Sequence, residues 1–273
     1  MALDLNKDTT LCISLAAKPS NFGTRFHNYL YHLLDLNYAY KAFTTTDIAA
    51  AVKGIRALGI RGCGVSMPFK EACIPFVDEL DESAKAIDSV NTIVNTDGYL
   101  KAYNTDYIAI YELIKNNQID PSTLFALQGS GGMAKAVACA LRDLGFKQGY
   151  IVARNQQKGM QLAQLCGFEW VAELGDKPAK LLINATPQGM AGVDTQDQLS
   201  FSEAQVDAAD VIFEVVAMPA QTPLVKLAQQ KNKQVILGSD VFAIQAVEQF
   251  IMYTGVRPSD EQFRQAAEYS RQG

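Results

Sequence analysis

The stretch that decides the fold runs from Leu124 to Arg154 and reads LFALQGSGGMAKAVACALRDLGFKQGYIVAR. It begins with a short apolar run, Leu124–Leu127, and a glycine-rich segment follows at once. Ala134–Leu144 is then apolar at helical spacing, and Tyr150–Ala153 is a second apolar run. This change of period along the chain predicts a strand, a tight turn, a helix and a second strand.

The turn between the first strand and the helix matches G-x-G-x-x-A. In that setting the first glycine makes the tight turn, the second lets the backbone approach a pyrophosphate, and the small last residue lets helix and strand pack closely. The helix N-terminus offers N–H groups and a positive dipole to an anion. We therefore predict a dinucleotide at Gly129, Ser130, Gly131, Gly132, Met133 and Ala134. The alternative is a glycine-rich turn without a ligand.

The end of the second strand predicts which dinucleotide binds. Folds that prefer NAD place Asp or Glu there, and the carboxylate accepts a hydrogen bond from the ribose 2′-hydroxyl. This chain has Arg154 at that position, with Asn155, Gln156, Gln157 and Lys158 after it and no carboxylate. A guanidinium group matches a 2′-phosphate, so we predict NADP rather than NAD. The alternative is a solvated surface arginine.

Length and composition narrow the class of protein. The 273 residues are enough for one large domain or two ordinary ones, and a hydrophobic share of 48% can form a sizeable core. The net charge of −5 and the lack of a basic cluster argue against nucleic acid as a partner. The sequence shows neither a membrane-spanning run nor a signal-peptide pattern. We expect a cytoplasmic monomer or homodimer that does not bind membranes.

The cysteines and histidines do not predict a metal site. Five cysteines occur, none in a C-x-x-C pair, and the odd number suits a reducing compartment. We expect the cysteines to be small buried apolar residues. His27 and His32 lack the spacing of metal ligands, and we favour a structural role for His27.

Strands and helices alternate outside the central stretch. Leu11–Leu15, Tyr38–Tyr40 and Gly62–Ser66 read as strands with helical segments between them. Val90–Val94 and Tyr99–Tyr103 flank an Asp-Gly pair, which predicts a hairpin. Further strands are predicted at Leu181–Asn184, Val211–Glu214 and Val235–Gly238, a helix at Asp240–Tyr253 and a capping box at Ser259–Gln262. The alternation predicts an α/β protein with mostly parallel strands.

Two residues near predicted strand ends could carry redox chemistry. Oxidation of an alcohol by a nicotinamide needs a group that takes the hydroxyl proton as the hydride leaves. Lys70 follows a strand and the bend at Pro68, and Asp106 lies after a strand at a helix start. A lysine beside a carboxylate can move a proton, and its ammonium form can stabilise an alkoxide. Spacing alone leaves two alternatives open, namely a solvated Lys70 and an Asp106 that only caps a helix.

Short motifs follow one another along nearly the whole chain. They lie at Val65–Lys70 (VSMPFK), Ser89–Thr92 (SVNT), Asn104–Asp106 (NTD), Gly129–Ala134, Ala153–Asn155 (ARN), Asn184–Thr186 (NAT) and Gln245–Ala246. In this order they resemble N-V-T-x-P-x-K, A-V-N-T, N-T-D, G-x-G-G-x-x, N-R-T, N-A-T and Q-A of the shikimate/quinate dehydrogenase family. The resemblance is greatest to the shikimate dehydrogenase-like branch of that family.

The resemblance implies two α/β domains with distinct tasks. Residues 1–106 plus 240–273 would form a mostly parallel substrate-binding catalytic domain, and residues 107–239 an NADP-binding Rossmann domain. Lys70 and Asp106 would form the catalytic pair. The substrate would be bound by Ser20, Ser66, Asn91 and Gln245, and NADP by Gly129–Ala134, Arg154, Asn155 and Thr186. The implied reaction interconverts shikimate, or a closely related cyclic hydroxy acid, and 3-dehydroshikimate by hydride transfer, as in aromatic amino acid biosynthesis.

Departures from the family pattern predict low turnover of shikimate. Gly23 stands where the family has a second serine, Gly64 where its N-V-T segment begins, and Ala217 near a usual tyrosine. A lost hydrogen bond to a charged group costs about 1.5–3 kcal/mol, or about one to two powers of ten in affinity. The alternatives are a quinate or aminoshikimate-type dehydrogenase and a non-catalytic sensor of NADP and a hydroxy acid. The intact Lys70 and Asp106 argue against the sensor.

Overall fold

The computed structural model describes residues 5–271, so residues 1–4 and 272–273 lie outside the described part. The chain divides into two compact units, Met1–Thr105 with Ala243–Gly273, and Asp106–Phe242. We call these the first unit and the second unit. Within residues 5–271, no helix is both long enough and apolar enough to cross a membrane.

Strands and helices alternate along most of the described chain. The strands are β1 (Thr10–Leu15), β2 (Tyr38–Phe43), β3 (Gly62–Val65), β4 (Glu79–Leu80), β5 (Thr92–Thr96), β6 (Tyr99–Tyr103), β7 (Phe125–Gln128), β8 (Gly149–Val152), β9 (Glu169–Val171), β10 (Leu181–Asn184), β11 (Val211–Glu214) and β12 (Gln234–Leu237). The helices are α1 (Asn21–Leu33), α2 (Ile48–Ala57), α3 (Phe69–Ala72), α4 (Glu82–Lys85), α5 (Thr105–Asn116), α6 (Gly132–Asp143), α7 (Gln156–Cys166), α8 (Glu203–Ala208), α9 (Pro223–Gln230), α10 (Gly238–Thr254) and α11 (Asp260–Arg271).

The first unit contains a mixed sheet in the order β2-β1-β3-β5-β6-β4. Strand β1 pairs in parallel with β2 and β3, whereas β5 runs antiparallel to β3 and β6. The predicted hairpin between β5 and β6 is confirmed, and Asp97 and Gly98 at its tip both have positive φ, as a tight hairpin turn requires. The capping box at Ser259–Gln262, which opens α11, is also confirmed.

The second unit contains an entirely parallel sheet in the order β12-β11-β10-β7-β8-β9. From β7 the chain builds outward through β8 and β9, and then returns to the other side of β7 with β10, β11 and β12. This is the doubly wound order of dinucleotide-binding folds, so the predicted Rossmann fold is confirmed. The strand order reverses between β7 and β10, and ligands of such sheets bind outside the carboxyl ends of the strands at this point.

Burial explains why the strands of the second unit read as short apolar runs. Helices cover both faces of a parallel sheet, so side chains on both faces must be apolar. Phe125, Ala126 and Leu127 of β7 and Leu181 and Ile183 of β10 are all fully buried. The five cysteines are buried free thiols, which confirms the expectation that they are small core residues.

Candidate cofactor and substrate sites

The glycine turn lies in the second unit, between β7 and α6, at the switch point of the sheet. Gly129 has φ of +128°, and a Cβ added there would lie 2.9 Å from the carbonyl oxygen of Ala185. Only glycine fits this position, because the turn and the loop after β10 are in backbone contact. Ala134 is fully buried, as close packing of α6 requires.

The same turn leaves open space where a dinucleotide would bind. Gly131 is the N-cap residue of α6, and a Cβ added at Gly131 or Gly132 would meet no atom within 4 Å. Both residues are exposed, whereas Ser130 and Met133 are half-buried. The exposed backbone at the N-terminus of a twelve-residue helix suits an anionic pyrophosphate. The residues present therefore fit the predicted cofactor.

Arg154 follows β8 and is exposed, so its guanidinium group is accessible to a 2′-phosphate. Asn155 is the N-cap residue of α7, and its side chain accepts a hydrogen bond from the backbone N–H of Lys158 at 3.0 Å. Trp170 of β9 supports this corner, because its indole N–H donates to the carbonyl oxygen of Ala153 at 3.1 Å. The strand end thus presents an arginine and a capping asparagine.

A buried polar cluster holds the loop after β10, which contains Thr186. The Asn184 Oδ1 atom accepts hydrogen bonds from the Thr186 backbone N–H at 3.0 Å and from its hydroxyl at 2.7 Å. The Asn184 Nδ2 atom donates to Glu214 Oε1 at 2.8 Å and to the carbonyl oxygen of Gln188 at 3.0 Å. Burial raises the pKa of Glu214 to about 7. From the sequence Glu214 was predicted only as a strand residue, although an acidic residue at the end of a buried apolar run indicates a buried polar contact.

Ser66, Lys70 and Asn91 lie together in the first unit. The Val65 N–H donates to the carbonyl oxygen of Asn91 at 2.7 Å, and the Val90 N–H donates to that of Lys70 at 2.8 Å. The segment from β3 through α3 is thereby fixed along the residues just before β5. Ser66 is exposed and Lys70 is half-buried.

Asn91 also fixes the start of α5. Its Oδ1 atom accepts hydrogen bonds from the Thr105 N–H at 2.8 Å and from the hydroxyls of Thr105 and Thr92 at 3.1 and 2.9 Å. Asp106 is the next residue and the second residue of α5. The alternative in which Asp106 is the N-cap of this helix is therefore wrong, because the helix already begins at Thr105.

The two remaining predicted substrate residues lie at helix positions of the first unit. Ser20 is the N-cap residue of α1, is exposed, and makes no capping hydrogen bond through its side chain. Gln245 is half-buried on α10. One turn later, the buried Gln249 donates to the carbonyl oxygen of Asn91 at 3.2 Å and to the Thr92 hydroxyl at 2.9 Å. Gln249 was not predicted from the sequence, because it belongs to no motif of its own.

Tyr40 fills the space beside two of the glycines that depart from the family pattern. A Cβ added at Gly64 would lie 3.0 Å from the Tyr40 phenol oxygen, and one added at Gly23 would lie 3.7 Å from it. Tyr40 also stacks on the His27 ring at 4.3 Å between ring centroids. Burial lowers the pKa of His27 to about 3, and a hydrogen bond with Gln249 opposes this shift. His27 is therefore a neutral core residue, as predicted.

Comparison with known proteins agrees with this architecture. Residues 21–93 match the family model described as the shikimate dehydrogenase substrate binding domain. A shikimate dehydrogenase-like protein of Haemophilus influenzae is 54% identical over 98% of both chains. A shikimate dehydrogenase (NADP(+)) of Streptococcus pyogenes is 35% identical over 90% of this chain and 92% of the relative.

Solved structures show the same fold. A shikimate 5-dehydrogenase-like protein superposes with a TM-score of 0.96 over 98% of this chain and 99% of the other, at 54% identity. The shikimate 5-dehydrogenase of Thermus thermophilus, solved with NADP(H) and shikimate, superposes with a TM-score of 0.84 over 96% and 99% of the two chains, at 25% identity. The resemblance seen in the motifs is thus confirmed, and the chain belongs to the shikimate dehydrogenase family.

Proposed function

We propose that this protein is an NADP-dependent oxidoreductase that interconverts shikimate, or a closely related cyclic hydroxy acid, and the corresponding 3-dehydro acid. We further propose that its turnover of shikimate is low. The proposal is carried by one observation in the first unit. Two backbone hydrogen bonds, from Val65 to Asn91 and from Val90 to Lys70, run the segment that carries Ser66 and Lys70 beside the segment that carries Asn91.

The cofactor half of the proposal rests on the second unit. The turn Gly129–Ala134 would hold the pyrophosphate, Thr186 would lie beside the cofactor, and Arg154 with Asn155 would bind the adenosine end. The arginine and the lack of an acid at residues 154–158 favour NADP. Relatives in this family have been solved with NADP(H) or with NAD, so this preference needs its own test.

The chemistry requires a proton acceptor from the protein. When bound, the nicotinamide ring supplies a site that accepts or returns a hydride. In the oxidising direction Lys70 would take or relay the hydroxyl proton of the substrate, and Asp106 would orient it. In the reducing direction Lys70 would return a proton to the developing alkoxide.

The rest of the substrate site would orient the ring. Ser20, Ser66, Asn91 and Gln245 would hydrogen-bond the hydroxyl and carboxylate groups of the acid. Three hydrogen bonds already converge on the Asn91 Oδ1 atom, so its Nδ2 amide is the group suited to a substrate oxygen. Gly23 and Gly64 offer no side-chain donor, and this loss supports a low affinity for shikimate.

A substrate panel with NADP and NAD tests this proposal, with reduced nicotinamide followed by absorbance. We expect activity on shikimate or on a related acid such as quinate or aminoshikimate, with NADP preferred. For shikimate, a kcat/KM of about 10⁶ M⁻¹s⁻¹ or more would contradict the low turnover. No turnover of any cyclic hydroxy acid, despite NADP binding, would support the sensor instead.

Lys70→Ala tests the catalytic role. We expect kcat to fall by about 10²–10⁴-fold, which is the usual contribution of a general acid–base group, while NADP affinity changes little. Lys53→Ala removes an exposed lysine from α2 of the same unit and serves as the control. Unchanged turnover in the Lys70 variant would refute the assignment.

A further inference from the structure

The carboxyl ends of three neighbouring strands in the second unit carry polar side chains in one row. Gln128 of β7 pairs with Asn184 of β10, and Asn184 pairs with Glu214 of β11. Asn184 is fully buried and Glu214 is 1% exposed. Buried polar groups cost free energy unless they are hydrogen-bonded, so this row must be satisfied by the loops that follow the strands.

Glu214 accepts hydrogen bonds from the last residue of β10 and from the loop after β11. Its Oε1 atom accepts from the Asn184 side chain at 2.8 Å and from the Val216 backbone N–H at 3.0 Å. Its Oε2 atom accepts from the Thr222 hydroxyl at 2.9 Å. Thr222 is also the N-cap of α9, since its hydroxyl accepts from the Val225 N–H at 3.2 Å. One carboxyl group therefore links the loop after β11 to Asn184, which in turn bonds Thr186 and Gln188 of the loop after β10.

The linked loops reach the glycine turn through backbone contacts. The Ala185 N–H donates to the carbonyl oxygen of Gln128 at 2.9 Å, and Gly129 lies against the carbonyl oxygen of Ala185. The Gln128 side-chain amide donates to Gln188 Oε1 at 2.6 Å. A displacement of the loop after β10 would therefore change the positions of Thr186 and of the turn proposed to bind the pyrophosphate.

We propose that Glu214 is a positioning residue for the dinucleotide site, because its carboxyl group holds the loops after β10 and β11 in the arrangement that receives the cofactor. This inference rests on the proposed function. In Glu214→Gln the amide oxygen can accept from Asn184 and Val216, and the amide N–H can donate to the Thr222 oxygen in place of the bond that Thr222 donates to the carboxyl group.

The experiment measures NADPH binding rather than turnover. Trp170 is the single tryptophan of the chain and lies in the second unit, so energy transfer from it to bound NADPH reports the dissociation constant. We expect Glu214→Ala to raise that constant at least about tenfold, which corresponds to about 1.4 kcal/mol. We expect Glu214→Gln to stay within about threefold of the wild type, because it keeps the contacts.

Val206→Ala controls for loss of stability alone. Val206 is a fully buried core residue of α8 in the same unit, and its truncation destabilises the unit without removing a hydrogen bond of Glu214. We expect it to bind NADPH like the wild type. If Val206→Ala weakens binding as much as Glu214→Ala does, or if Glu214→Ala binds normally, the inference is overturned.

If Glu214→Ala does not fold, a milder pair of variants at Thr222 tests the positioning role of Glu214. Thr222→Val removes the hydrogen bond to the carboxyl group and the N-cap bond from Val225, and Thr222→Ser keeps both. We expect weaker NADPH binding only in the valine variant, and equal binding in both would overturn the inference. A wild-type protein that does not bind NADPH at all would instead contradict the proposed function, so the two failures are distinguishable.

Discussion

Replacement of the buried His27 should change how stability depends on pH. His27 is 1% exposed, and among the described residues its Nδ1 atom has no hydrogen-bond partner. Its ring stacks on Tyr40 and lies edge-on to Phe26. A protonated imidazole in this aromatic cluster would be a buried charge, so the folded protein disfavours protonation and the unfolded chain does not.

The size and sign of the effect follow from the two pKa values. Burial lowers the pKa of His27 from 6.5 to about 3 in the folded protein. Between these values the unfolded chain binds more protons, so the free energy of unfolding falls as pH falls from 6.5 towards 3. Relative to about pH 8, the loss at about pH 5 is about 2 kcal/mol, and the limit below both pKa values is about 5 kcal/mol.

Urea denaturation near pH 8 and pH 5 tests this reasoning on His27→Phe and His32→Gln. Phenylalanine keeps the aromatic stack but cannot titrate, and His32 is the only other histidine, exposed on the same helix. Trp170 reports the second unit, and circular dichroism reports both, so the transition of the first unit can be separated. We expect the His27 variant to lose about 2 kcal/mol less than the wild type on acidification. Equal losses in the wild type and His27→Phe would refute the reasoning.

Two further substitutions test the cofactor and substrate sites. Arg154→Gln should raise the dissociation constant for NADP about 10–100-fold and leave that for NAD nearly unchanged, because only NADP has the 2′-phosphate. Lys147→Gln, at the opposite end of β8, is the control. An equal change for both cofactors in Arg154→Gln would contradict the assignment of Arg154 to the 2′-phosphate. Gly64→Ala should lower the free energy of unfolding by about 1–3 kcal/mol, because the added Cβ would lie only 3.0 Å from the Tyr40 phenol oxygen. In a Tyr40→Phe background, which lacks this oxygen, the loss should be smaller. Gly54→Ala, where a Cβ meets no atom within 4 Å, should not destabilise, and equal costs of Gly64→Ala in both backgrounds would remove Tyr40 as the cause.

The fold of the second unit could be predicted from the sequence because its signals are local. A strand, a turn that only glycine can make and a small residue in the helix all occur within Leu124–Arg154. Several elements were missed, and they include α7 and α9, with eleven and eight residues, as well as shorter ones. Helix α3 has four residues and β4 has two, too few for a period to be recognised.

The candidate sites could be predicted only in part, because the missing residues act through contacts distant in sequence. Asn91 was predicted from its motif, but Gln249, which donates to its backbone, lies 158 residues later. Tyr40 reads as an ordinary strand residue, and only the structure shows its hydroxyl beside Gly64. The roles assigned to Lys70, Asp106 and the substrate-binding residues stay predictions until the variants are measured.

Gly23 and Gly64 are not independent departures from the family pattern, because both lie beside the side chain of Tyr40. From the sequence, each glycine counted as an independent loss of one polar group. In the structure one phenol occupies the space beside both glycines, and a hydrogen bond with Ser14 ties its oxygen to β1. A side chain at 64 would have to displace Tyr40, which is itself held by the His27 stack. The two departures and the aromatic cluster therefore form one coupled feature, and restoring an asparagine at 64 alone should not restore the shikimate site.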